Sequence, residues 1–276
     1  MPRTMRDTSK LCIHTITTRP LSIEAAIEEY ALIGARGISV WRESLDGRDP
    51  SRVGLQIKDA GLSAVSLCRG GFFPAAEATG RRAAIEDNQR AIDQAAQIGA
   101  SMVVLVCGAV PKISLEESRR QILEGIETIL PAAEDAQIRL AVEPLHPMYA
   151  DSRSAINTLK QANDLIEMIQ SPYLGVVVDV YHVWWDPDLE REIQRCGQAN
   201  HLFAFHICDW KTPTTDLLND RGLMGEGCIP ISKIREWVEA AGFEGFHEVE
   251  IFSKHYWSMD QHVYLEQIKA AYLEHC

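Results

Sequence analysis

The chain has 276 residues, 46% of them hydrophobic, and a formal net charge of −12 from 27 Lys+Arg against 39 Asp+Glu. That length suits one large core, and an acidic chain without a basic run argues against nucleic acid, whose phosphates are neutralised by Lys and Arg. No run of about 18 apolar residues is present, so no membrane span is expected. The seven cysteines are irregularly spaced without a CxxC, a pattern of reduced thiols rather than of a disulfide framework. The polar opening MPRTMRDTSK lacks the apolar stretch of a secretory signal. Together these features predict a cytoplasmic protein, with assembly into a homo-oligomer left open.

In chain order, short apolar runs rich in β-branched and aromatic residues read as eight strands: LCIHTIT (11–17), GISVW (37–41), LSAVSLC (62–68), MVVLVC (102–107), RLAVEP (139–144), LGVVVDV (174–180), LFAFHIC (202–208) and FHEVEIF (246–252). Helical patterns lie between them at 22–34, 77–98, 114–136, 154–169 and 231–242, with a last one through about 258–273. Ser22 and Ser114 stand where N-caps belong, Glu117 completes a capping box with Ser114, and Gly34, Gly99 and Gly242 stand where helices stop. Eight regular strand–helix units with no glycine-rich phosphate loop after the first strand predict a single (β/α)8 TIM barrel spanning residues 1–276.

In such a barrel the chemistry sits at the C-terminal ends of the strands. Glu143, Asp179, His206 and Glu250 lie at those ends. An unpaired charge in the apolar surroundings of Glu143 and Asp179 is costly, so each needs a partner. Carboxylates and an imidazole together suit one divalent ion such as Mn²⁺, Mg²⁺ or Zn²⁺. Glu248 shares a face with Glu250; periodicity does not separate them, although Glu250 is nearer the strand end and Glu248 suits a supporting role. His182 and His146, three residues past Asp179 and Glu143, and the strand-end residues His14 and Arg42 are candidate substrate contacts, with Trp210 and its fellow tryptophans as an apolar wall. Cys68, Cys107 and Cys208 read as small barrel fillers, and GLMGEGCIP (222–230) as a structural loop rather than a phosphate cradle.

At AVEPLHP, VVVDVYH, HICDW, the GEGCIPI loop and GFEGFHEVEIFS, the chain resembles the xylose isomerase-like TIM-barrel superfamily of sugar phosphate isomerases and epimerases. The resemblance covers nearly the whole chain. It implies that Glu143, Asp179, His206 and Glu250 bind one divalent metal, Mn²⁺ foremost with Mg²⁺, Zn²⁺ or Co²⁺ as alternatives, and it selects Glu250 over Glu248 by position after the GFEG turn. Ketose 3-epimerases of the superfamily carry a His three after the metal Asp, matched by His182. Their Glu six after the first metal Glu is Tyr149 here, and their Arg six after the metal His is Thr212. The implied activity is metal-dependent isomerisation or epimerisation of a sugar, keto-sugar or cyclitol, with Glu143 and Glu250 moving the proton. A dehydratase of the inosose type is the alternative. An endonuclease IV-like nuclease is disfavoured by charge and by the absence of a matching spacing of extra histidines.

Overall fold

The computed structural model describes residues 7–276; most of the opening segment read for a signal therefore lies outside the described residues. The elements run β1 (Leu11–His14), α1 (Ile23–Leu32), β2 (Gly37–Trp41), α2 (Pro50–Asp59), β3 (Ser63–Gly71), α3 (Ala78–Ile98), β4 (Met102–Val106), α4 (Leu115–Asp135), β5 (Arg139–Glu143), α5 (Leu159–Ile169), β6 (Leu174–Asp179), α6 (Val180–Val183), α7 (Leu189–Gln198), β7 (Leu202–Ile207), β8 (Asp209–Trp210), β9 (Arg221–Gly222), α8 (Ile231–Ala240), β10 (His247–Val249), α9 (Lys254–Trp257) and α10 (Gln261–His275). Eight parallel strands close in the order β1-β10-β7-β6-β5-β4-β3-β2, and β8 and β9 form a separate two-stranded ribbon. This is the predicted single TIM barrel. Among the described residues no helix is long and apolar enough to cross a membrane.

Side-chain alternation divides the strands between two cores. Ile13, Ile38, Val40, Val103, Leu105, Leu140, Val142, Val176, Val178, Phe205 and Ile207 point outward into the shell of helices. Trp41, Cys68, Met102, Val104, Ala141, Val177, Phe203 and Ala204 fill the barrel interior. Cys68 is thus an interior filler as expected, whereas Cys107 and Cys208 pack with the strand–helix core instead.

Three local departures from the sequence reading have physical causes. Helix α5 begins at Leu159, not 154, because Thr158 is its cap, accepting from Gln161 N. The preceding residues are engaged elsewhere: Ser154 bridges Gly108, and Asn157 Nδ2 donates to Leu145 O at 3.0 Å. Helices α2 and α7 lie in stretches with no predicted helix: α2 buries only Val53 and Ile57, and in α7 the narrow stripe of Leu189, Ile193 and Cys196 is set among polar residues. Strand β3 runs three residues further than predicted, through Arg69, Gly70 and Gly71. Gly71 has φ +101°, and a Cβ there would stand 2.0 Å from Val106 O; only glycine permits this close approach of β3 to β4.

Candidate metal centre and active site

Strand register brings the strand-end polar residues to one level. Asp179 pairs with His206 across β6 and β7, His206 with Glu248 across β7 and β10, and Val106 with Glu143 across β4 and β5. One ligand atom each from Glu143, Asp179, His206 and Glu250 lies within 4.8 Å of the others, and all four residues are buried. Glu143 Oε1 and His206 Nδ1 are 3.0 Å apart, yet neither atom has a hydrogen-bond partner. Two buried polar atoms aimed at one point without satisfying each other is the arrangement a cation completes.

Charge balance points the same way. Glu143, Asp179, Glu248 and Glu250 are all buried, and a buried uncompensated carboxylate is costly. Among the described residues the one buried guanidinium beside them is Arg221, whose Nη1 lies 2.7 Å from Glu250 Oε2 and 3.3 Å from Asp179 Oδ2. Burial pushes the Asp179 carboxyl up to about 7 against the pull of Arg221. Burial acts the same way on Glu250, but there Arg221 and His14 override it and hold the carboxyl well below its ordinary range. A donor set of three carboxylates and one imidazole matches a hard or borderline divalent ion, so the residues fit the predicted metal.

Below this level Glu248 organises the ligands. Its Oε2 accepts from Ser39 Oγ at 2.5 Å and Ser66 Oγ at 3.2 Å, contacts His14 Nε2 at 3.2 Å and lies 3.7 Å from His206 Nε2. At 3.7 Å the His206 contact is longer than a hydrogen bond and His206 Nε2 has no hydrogen-bond partner, so Glu248 supplies negative charge behind the ring, which raises its basicity.

The predicted substrate contacts divide. His182 lines the cavity over Glu143 and Glu250, with Nε2 3.2 Å from Arg221 Nη2; burial, then Arg221, keeps its ring well below the ordinary histidine pKa. His14 lies beneath, fully buried, with Nδ1 accepting from Trp41 Nε1 at 3.2 Å and standing 3.2 Å from Glu250 Oε1, so it packs under Glu250 rather than facing the cavity. His146 turns into its own loop, accepting from Met148 N at 3.2 Å and packing near Trp185 and Trp210. Arg42 is drawn off towards α3 by a two-pronged pair with Asp87 at 2.7 and 3.0 Å. Trp210 stacks behind Tyr181 at 4.7 Å, and Tyr181 in turn lies under the Arg221 guanidinium at 4.3 Å, with Phe252 at 4.9 Å. Trp210 therefore supports the arginine through this stack.

Arg221 is the residue sequence reading missed. The position sought, six after His206, is Thr212, and β9 delivers an arginine nine residues later. The Asp220-Arg221 pair directly ahead of GLMGEG was the available signal. That glycine-rich loop is structural: Gly225, Gly227 and Ile229 all donate their N–H to the Asp209 carboxylate at 2.9–3.0 Å, so the protein fills the anion position itself.

The sequence model of the xylose isomerase-like TIM barrel family matches residues 27–273. The chain belongs to this family. Among solved structures it is similar to protein SMc04130 from Sinorhizobium meliloti 1021, at 43% identity and TM-score 0.94, covering 98% of this chain and 99% of that one. It also shares its fold with the IolI protein, solved with a bound zinc atom, at 19% identity and TM-score 0.83 over 95% of this chain and 96% of that one. Among curated relatives, the probable endonuclease 4 of Mesomycoplasma hyopneumoniae strain J is 23% identical over 152 residues, 52% of this chain; the chain spans about half of that protein, 53%. The inosose isomerase of Bacillus licheniformis is 24% identical over 196 residues, 68% of this chain and 67% of that protein.

Proposed function

We propose that this protein is a divalent-metal-dependent isomerase or epimerase of a sugar, keto-sugar or cyclitol. The observation that carries this reading is the convergence of Glu143, Asp179, His206 and Glu250 within 4.8 Å, with Glu143 Oε1 and His206 Nδ1 left unpartnered. The similarity to an inosose isomerase supports the substrate class, and the zinc atom bound in the IolI structure supports a metal. Mn²⁺ suits the carboxylate-rich donor set best, with Mg²⁺, Zn²⁺ and Co²⁺ as alternatives.

The four residues would hold the ion, and bound there it supplies Lewis-acid polarisation of a carbonyl oxygen and its neighbouring hydroxyl. The protein does the proton work. Glu143 and Glu250 stand on β5 and just past β10, separated in the barrel by β6 and β7, so they address a substrate from two sides. One removes the proton beside the carbonyl and the other returns it. Return to the opposite face of the same carbon is epimerisation; return to the neighbouring carbon is isomerisation. Arg221, held between Tyr181 and Phe252, keeps Glu250 ionised and offers a positive charge where oxygen charge develops. Tyr149, His182 and Leu145 help enclose the cavity.

The dehydratase reading shares the first proton removal and ends in loss of a β-hydroxyl. The experiment is a panel of ketoses and inososes incubated with Mn²⁺-supplemented enzyme in D₂O. Deuterium at the carbon beside the carbonyl with retention of all hydroxyls supports the proposal. Loss of one water from the product assigns the lyase instead, and cleavage of abasic DNA with a steep salt dependence assigns the nuclease.

A further inference from the structure

A cavity of about 440 Å³ adjoins the metal-site cavity and shares Trp41, Arg69, Arg153, Leu218 and Phe252 with it. Its wall carries four arginines, Arg19, Arg48, Arg69 and Arg153, against one carboxylate, Glu43. In a chain with 27 basic and 39 acidic residues, that reverses the overall balance at one place.

Arg48 is already paired, with Glu24 at 2.8 and 3.1 Å. Among the described residues the other three have no carboxylate within salt-bridge distance. They rest instead on aromatic faces: Arg69 over Phe72 at 4.3 Å, Arg153 over Tyr149 at 5.6 Å and Arg19 over Trp257 at 5.3 Å. Arg69 and Arg153 line both cavities and are half-buried, so two like charges border the same space. Their backbones are fixed. Asn88 clamps Gly71, two residues beyond Arg69, accepting from its N–H at 2.6 Å and donating to its C=O at 2.8 Å. Arg153 O accepts from Gly108 N at 2.8 Å and Arg153 N donates to Tyr149 O at 2.9 Å. Unpaired guanidiniums on rigid supports are built to receive an anion, which they bind with paired N–H donors.

We propose that the substrate is anionic: its carbonyl end lies at Glu143 and Glu250, and a carboxylate or phosphate ester at its far end is held by Arg69 and Arg153, with Arg19 at the rim. The idea rests on the isomerase reading for the carbonyl end only. Arg42, the candidate substrate contact at the end of the second strand, is paired with Asp87 instead.

Two measurements on the metal-loaded protein test this separately. In the first, thermal midpoints are recorded against inorganic phosphate and against acetate for wild type, Arg69→Gln and Arg153→Gln. Wild type is expected to rise with at least one of the two anions, and both variants, folded to the same midpoint without anion, to lose that rise. Which anion acts tells a phosphate ester from a carboxylate. In the second, kcat/KM is compared between phosphorylated or acidic ketoses and their neutral counterparts. Wild type is expected to prefer the anionic member, and either variant to cut that preference on the order of 10- to 100-fold. An anion response that survives both substitutions, or a neutral ketose preferred by wild type, overturns the proposal. Arg-dependent anion stabilisation without turnover of any ketose upholds the anion site and overturns the isomerase reading.

Discussion

Arg221 Nη1 stands 2.7 Å from Glu250 Oε2, bringing a guanidinium from the β8–β9 ribbon onto a carboxylate at the end of the barrel. The same group reaches Asp179 and His182, so one side chain ties three site residues together. Replacing Arg221 with Met should lower kcat on the order of 10²–10³-fold, the effect of losing a preorganised donor. Bound metal should be retained, because Glu143, Asp179, His206 and Glu250 remain. Metal content by elemental analysis beside steady-state kinetics checks this; loss of metal in proportion to activity would assign Arg221 to metal retention instead.

Glu143→Gln and Glu250→Gln should each reduce turnover by roughly 10²–10⁴-fold, the usual worth of a positioned acid or base, with the circular dichroism spectrum and thermal midpoint kept. Near wild-type turnover in either variant removes that residue from the proton-transfer pair.

Glu248→Gln probes the carboxylate beneath the centre. It accepts from Ser39 and Ser66 and contacts the His14 ring, and it faces His206 at 3.7 Å. Metal affinity should weaken about 10–100-fold, measured by competition with a chelator. Unchanged affinity would show that His206 holds its orientation by packing alone.

His247 gives the protein a defined acid response. Its Nδ1 meets Tyr272 Oη at 3.1 Å, and burial, then Lys10 and Arg235, lower its pKa to about 3. Between about 6.5 and about 3 the unfolded chain takes up a proton that the folded chain refuses, so acidification favours unfolding in this window. Relative to His247→Gln, wild type should lose up to about 1.4 kcal/mol of stability per pH unit on acidification. Urea unfolding at pH 7, 6 and 5 measures the difference; parallel pH dependences would show that His247 titrates alike in both states.

The parts of the site legible in the sequence were those whose position follows from strand periodicity. Glu143 and Asp179 end apolar runs, so period-two alternation under a barrel hypothesis puts them inside and at the top. Glu248 and Glu250 share a face, and only the structure shows one beneath the histidines and the other beside Arg221. Residues whose direction depends on a distant partner were not legible: Arg42 turns away because Asp87 lies on α3, and His146 turns into its own loop. Arg221 escaped because it rides on a two-residue strand beyond an irregular segment, where spacing from His206 carries no rule. The fold followed the same division. All eight barrel strands were readable, while α2 shows only Val53 and Ile57 as a buried face, and the stripe of Leu189, Ile193 and Cys196 on α7, at i, i+4 and i+7, was overlooked among its polar residues.

The central claim is that a divalent ion held by Glu143, Asp179, His206 and Glu250 is required for proton transfer. It is tested most directly by solvent exchange in D₂O, followed by proton magnetic resonance on a reactive ketose or inosose, before chelation, after chelation and after Mn²⁺ is restored. The predicted result is deuterium uptake beside the carbonyl that disappears on chelation, returns with Mn²⁺, and does not return in Glu143→Gln. Full exchange by the chelated, metal-free protein would contradict the account.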